Sequence, residues 1–152
     1  MISFFRLSTL LFALLLHASV YAANIQVESA WARATLPGQN VGMVSLTITS
    51  KQTAILIGVV SAASQSAEMH QMTHDNNMMK MREVKAIALP AGKRVDFAED
   101  GYHLMLIGLK SALQEGESVP LTLSIRRANQ RVIKVKTQVT VKPFTATQMS
   151  DK

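Results

Sequence analysis

Ile133-Lys134-Val135-Lys136-Thr137-Gln138-Val139-Thr140-Val141-Lys142 is the stretch that decides the fold class. Ile133, Val135, Val139 and Val141 project to one side of an extended chain, and Lys134, Lys136, Gln138 and Lys142 project to the other. That alternation marks a strand in a sheet with one buried face. Just before it, Asn129-Gln130 is a turn, and Pro120 to about Arg127 is a preceding strand whose proline stands at the opening, where a missing N–H is tolerated. Ser111 to Glu117 is loop-like.

The same period recurs toward the N-terminus. Ile25, Val27 and Trp31 fall at odd positions of a half-buried strand running to about Thr35. Leu36-Pro37-Gly38-Gln39-Asn40 is a loop, since proline and glycine do not suit a strand interior. Val41 to Thr49 and Thr53 to Val60 are β-branched runs joined by Ser50-Lys51-Gln52, which predicts a hairpin. Pro90-Ala91-Gly92 is a turn, Arg94 to Phe97 a short strand, and Glu99-Asp100-Gly101 a turn into a strand from Tyr102 to Leu109. Eight or nine short strands and no helix predict a single-domain, all-β sandwich with Greek-key connections.

Residues 1–22 have the layout of a signal peptide: Arg6 in the n-region, Leu7 to Val20 as the apolar h-region, and Val20-Tyr21-Ala22 as a small-residue cleavage site. The apolar run is shorter than the roughly 20 residues of a membrane-spanning helix, so stable membrane insertion is not expected. No cysteine follows to accept a lipid. The expected organisation is a signal peptide over 1–22, a folded domain over 23–143 and a mobile tail over 144–152, exported with cleavage near Ala22.

Export leads to an oxidising compartment, yet the 152-residue chain has no cysteine, hence neither structural disulfides nor thiols at risk. Without Arg6 the net charge falls from +6 to +5, suited to acidic partner surfaces or anionic lipid headgroups. Nucleic acid is a poor partner, because the basic residues lack interleaved aromatics. No Gly-x-Ser-x-Gly elbow, His-Glu-x-x-His pair or phosphate-cradling glycine loop occurs, so the chain is not expected to be an enzyme.

Between Met69 and Met105 lie six of the nine methionines and three of the four histidines. Asp75-Asn76-Asn77 is a turn signal in their midst. With Asp75 and Asn76 at the centre of a tight hairpin, His70 lies across from Met81 and Met72 across from Met79. A slip to Asn76-Asn77 keeps His70 and Met81 on one face as diagonal neighbours. His103 and Met105, two apart on a strand, share a face as well. Two imidazoles and two thioethers form a soft, neutral set suited to Cu(I) rather than to Mg, Ca or Mn, and thioether is unusual on zinc. An electron-transfer blue-copper site lacks its thiolate here, which favours a carrier. Met72, His74 and Met79 share the ligand face as neighbours that wall the site or assist it. Met69 and Met78 fall on the opposite face as packing residues, and Met43 taken singly is also read as packing.

His70, ten residues, Met81, twenty-one residues, His103, one residue, Met105 resembles the copper motif of the PCu(A)C-type periplasmic copper chaperones. Ala30-Trp31-Ala32-Arg33-Ala34-Thr35, Met79-Lys80-Met81-Arg82, Gly101-Tyr102-His103-Leu104-Met105-Leu106 and Val119-Pro120-Leu121-Thr122-Leu123 are similar to that family's recurrent segments. The resemblance implies the periplasm as the destination and a cupredoxin-like sandwich that binds Cu(I) through those four side chains. It also implies delivery toward the copper centres of cytochrome c oxidase, to a subunit directly or through a thiol-bearing assembly factor, by a monomer. Many members carry a His- and Met-rich C-terminal extension for Cu(II), where this tail offers only Met149. The competing expectation is a metal-independent exported β-sandwich whose methionines form a protein-contact patch.

Overall fold

The computed structural model describes residues 24–144, so the expected signal peptide and most of the expected tail lie outside the described residues. Ten strands run in the order β1 (Ile25–Arg33), β2 (Val41–Ser50), β3 (Ala54–Val60), β4 (Ser64–Asp75), β5 (Met78–Val84), β6 (Ile87–Leu89), β7 (Arg94–Asp96), β8 (Tyr102–Leu109), β9 (Ser118–Arg127) and β10 (Val132–Lys142). They hydrogen-bond as one continuous path, β5-β4-β8-β2-β1-β10-β9-β3-β6, with β7 attached to β2. The β1–β10 ladder is parallel and the other strand ladders are antiparallel.

This path is folded over. β3 and β4 stand near opposite ends of the order, yet only residues 61–63 separate them and they lie in contact, as do β2 and β6. The fold is thus a two-layered, cupredoxin-like β-sandwich. Val44, Leu46, Ile48, Leu104, Leu106 and Phe97 from one layer are buried in the same core as Leu56, Leu121, Leu123, Ile125 and Val141 from the other. Each such side chain stabilises the fold by about 1.5–3 kcal/mol relative to exposure. No helix among the described residues is long and apolar enough to cross a membrane.

β10 follows its alternation: Ile133, Val135, Val139 and Val141 are sheltered while Lys134, Lys136, Gln138 and Lys142 are exposed. Three expectations need correction. The runs 41–49 and 53–60 are not a hairpin. β2 is flanked by β1 on one edge and by β8 and β7 on the other, while β3 pairs with β9 and β6, so the exposed residues 51–53 carry the chain between layers. Secondly, Trp31 does not share a face with Val27. Ser29 takes a positive φ of 49° and the register shifts between Glu28 and Trp31, so that Val27 opposes the core residue Ile48 while Trp31 opposes Ser45 on the other face. Thirdly, the turn before β8 is a one-turn helix α1 (Phe97–Asp100). Asp96 caps it by accepting from the backbone N–H groups of Ala98 and Glu99, and Gly101 closes it at φ 74°. Strand β6 was not anticipated; three residues are too few for a period to be legible.

Leu104 is fully buried between two residues that point the other way, His103 and Met105. Its packing therefore holds β8 at a fixed height under them. Leu104→Ala is expected to destabilise the apo protein by about 2–5 kcal/mol, the usual cost of a large core truncation, read as a lower denaturant midpoint at unchanged m-value.

Candidate metal centre

β4 and β5 form a hairpin turned by Asn76 and Asn77, with φ of 48° and 62°. Two successive left-handed residues make the turn that matches strand twist, and asparagine tolerates that conformation. The primary expectation of an Asp75-Asn76 turn is corrected accordingly. Asp75 opposes Met78, Met72 opposes Met81, and His70 opposes Glu83, which leaves Met81 diagonal to His70. Asp75 instead steadies the hairpin, accepting from Lys80 Nζ at 2.8 Å.

β8 pairs along the other edge of β4. There Met69 opposes Leu104, both buried in the core, and the next pair outward is His70 opposite His103. Alternation then assigns faces. Glu68, His70, Met72 and His74 of β4 lie on the side away from the core, with Met79, Met81 and Glu83 of β5 and His103 and Met105 of β8. Directly opposed residues on one face have Cβ atoms about 4.5–5.5 Å apart and diagonal ones about 7–8 Å, within reach of long side chains. His70, His103 and Met105 are thus immediate neighbours, and Met81 joins from the diagonal at 43 % exposure.

Met69 packs in the core as expected. Met78 does not: it is 58 % exposed, on an end strand that pairs with β4 alone. Met43 stands directly opposite Met105 on β2, half-buried on the ligand face. Its adjacency to Met105 depends on a pairing of strands sixty residues apart, to which the sequence gives no local clue.

The residue missed by sequence reading is Glu68. It lies opposite Met105, and its Oε2 is 2.8 Å from Nε2 of His70. An ionised carboxylate only accepts, so His70 donates Nε2–H, and in the neutral ring the lone pair is then on Nδ1. Nδ1 of His70 and Nδ1 of His103 are both buried with no hydrogen-bond partner among the described residues. Burial, and then the neighbouring His70, hold the His103 imidazole below the ordinary histidine range, favouring the neutral form that a metal requires. The i, i+2 spacing of Glu68 and His70 is the signal that was available. Among the described residues no three His, Cys, Asp or Glu side chains are grouped to hold a metal, and the further soft donors on the face of His70 and His103 are the thioethers of Met81 and Met105.

A face of imidazoles and thioethers on a cupredoxin-like sandwich defines the class. Residues 25–139 match the family described as "Putative lipoprotein LpqE-like", and the chain belongs to that family; its structural similarity to a PCuAC domain makes it a protein of the PCu(A)C type. It is 34 % identical over 103 residues to "Putative lipoprotein Lxx21020" of Leifsonia xyli subsp. xyli, an alignment covering 67 % of this chain and 62 % of the relative. The chain thus spans about three fifths of that relative's length. Among solved structures it resembles the Cu(I) form of DR1885 from Deinococcus radiodurans, with 30 % identity, TM-score 0.56, and coverage of 80 % of this chain and 81 % of that one. It also resembles the apo PmoF2 PCuAC domain, with 26 % identity, TM-score 0.63, and coverage of 81 % and 93 %.

Proposed function

We propose that this protein is an exported, periplasmic copper chaperone that holds Cu(I) with His70, Met81, His103 and Met105 and passes it on without catalytic turnover. The observation that carries the reading is the direct opposition of His70 and His103 on an outward sheet face, with Met105 two residues along and Met81 on the diagonal. The Cu(I)-bound state of DR1885, a 30 % identical relative, supports the choice of metal and oxidation state. Cu(I) suits the donor set: both thioethers are neutral at every pH, and neither can form a disulfide outside the cytoplasm.

The copper is cargo, so the centre has to release it. An outward face with Met81 nearly half exposed lets an acceptor's ligands replace the chaperone's one at a time. The acceptor is a subunit of cytochrome c oxidase or a thiol-bearing assembly factor. Residues 1–22 are its export signal, 23–143 its copper-binding domain and 144–152 its tail. Titration of the mature protein with Cu(I) against a chromogenic chelator tests the proposal, with tight uptake at the first equivalent expected.

Within this reading Glu68 fixes the tautomer of His70 and so aims Nδ1 at the metal. Glu68→Ala is expected to lower Cu(I) affinity about 10–100-fold, the usual cost of losing such an orienting partner. Glu68→Gln keeps an acceptor oxygen and should retain most of the affinity in the same chelator competition.

The exposure of Met78, Met79 and Met81 favours one other reading, a metal-independent interaction module with a methionine contact patch. In that case Met81→Leu and Met105→Leu leave partner binding intact and the purified protein ignores copper.

A further inference from the structure

On the outward side of the β4–β5 hairpin, from Glu68 to Glu83, stand Glu68, His70, Met72, His74, Met79, Met81 and Glu83. Every one of them carries a metal-donor atom. His70 and Met81 belong to the proposed centre, and Glu68 is bonded to His70. Met72, His74 and Met79 are left over, and they are not scattered: His74 opposes Met79, and the next pair on the same face is Met72 opposite Met81. Two adjacent cross-strand pairs make a compact block of one imidazole and three thioethers.

Core packing does not account for this block. Met79 is 57 % exposed and His74 is exposed, while Met72 is half-buried. An exposed strand position is ordinarily filled by a β-branched or charged residue. Near the tip the charged side chains are on the reverse side, where Lys80 and Asp75 pair and Thr73 opposes Lys80, while the outward carboxylates Glu68 and Glu83 stand at the far end of the hairpin. The Asn76-Asn77 turn and that ion pair hold the two strands in register at the tip, so the block is a preformed surface.

We propose that Met72, His74 and Met79 form an outer Cu(I) station at the hairpin tip, adjoining Met81, from which the ion moves to His70 and His103. The inference rests on the copper reading of the central site and adds a second site to it. Met81 is opposite Met72 and diagonal to His70, so it is the one thioether that both positions share. A Cu(I) ion can keep its bond to Met81 while exchanging Met72, His74 and Met79 for His70, His103 and Met105. The step is ligand exchange alone: copper stays Cu(I), and no proton or electron moves when all three imidazoles start and finish neutral. The outer station has more thioether and more exposure, so it takes copper more weakly and faster.

Methionine methyl resonances of the apo protein, labelled with carbon-13 and titrated with Ag(I) as a redox-inert soft probe and then with Cu(I) under reductant, test this directly. Met105 reports the central centre alone and Met79 the outer station alone. The expected result is movement of Met105 and Met81 over the first equivalent, then of Met79 and Met72 between one and two. The double variant His74→Gln, Met79→Leu is expected to lose the second event, keep the first, and take copper from a chelator several-fold more slowly. Met79 and Met72 unmoved up to two equivalents overturn the outer station, whatever Met105 does. If Met105 stays still while Met79 moves, the central centre fails and the station stands.

Discussion

The quadruple replacement of His70, Met81, His103 and Met105 by non-ligating residues is expected to weaken the tight Cu(I) site by at least about a thousandfold, or about 4 kcal/mol, in chelator competition. The fold should survive. All four side chains project away from the core, and the residues that bury β4 and β8, Met69, Leu104 and Leu106, are untouched. The circular dichroism spectrum and the denaturant midpoint therefore serve as the control. Residual weak uptake by the quadruple variant belongs to the outer station, which loses Met81 but keeps Met72, His74 and Met79. A variant that binds its first Cu(I) as tightly as the parent would remove these four residues from the account.

Acidification gives the second large effect. Copper takes the neutral imidazole, so protons compete for the ligand as the pH falls. Two unperturbed imidazoles would lose about a thousandfold in affinity between pH 7.5 and pH 5. His103 is held below the ordinary range by burial and by the adjacent His70, so it keeps its metal-binding form to lower pH. The expected loss is therefore smaller than that thousandfold and develops later in the descent. The same depression has a sign for the apo fold. The unfolded chain takes the His103 proton more readily, so the stability present above about pH 6.5 is lost as the pH falls toward the folded-state value. Copper affinity flat from pH 8 to pH 5 would argue against histidine ligation.

Much of this was legible in the sequence because strand parity is a local property. The alternation of β10 gave its buried and exposed faces, and the i, i+2 spacing of His103 and Met105 placed them on one side of β8. What failed was non-local or rested on a single backbone angle. One left-handed residue, Ser29, reverses parity within β1 and brings Trp31 to the outer face. Nothing in Ser50-Lys51-Gln52 distinguishes a hairpin from a crossing between layers; that is decided by β8 and β9, which claim the neighbouring edges. The hairpin register was ambiguous by one residue because Asp75-Asn76 and Asn76-Asn77 are both plausible turn pairs, and two asparagines won over one. The cap of α1 rests on Asp96, whose carboxylate accepts from the backbone N–H groups of Ala98 and Glu99 while its own N–H donates to the Asp100 carboxylate, with Gly101 following; an aspartate before a turn does not by itself announce a helix.

For the centre itself, spacing and hairpin logic brought four candidate ligands to one face, while Glu68 and Met43 came into view only with the pairing of β4, β8 and β2. Both lie against Met105, from either side. Met105 thus has Glu68 opposite it on one neighbouring strand and Met43 opposite it on the other, so its surroundings are set by three strands rather than by the motif.

Copper K-edge absorption on the mature protein carrying one equivalent of Cu(I) tests the central claim most directly, since it counts the scatterers around the metal. The expected spectrum contains two imidazole nitrogens and two sulfurs, with the sulfur contribution halved in Met105→Leu. A first shell of nitrogen and oxygen without sulfur would contradict it.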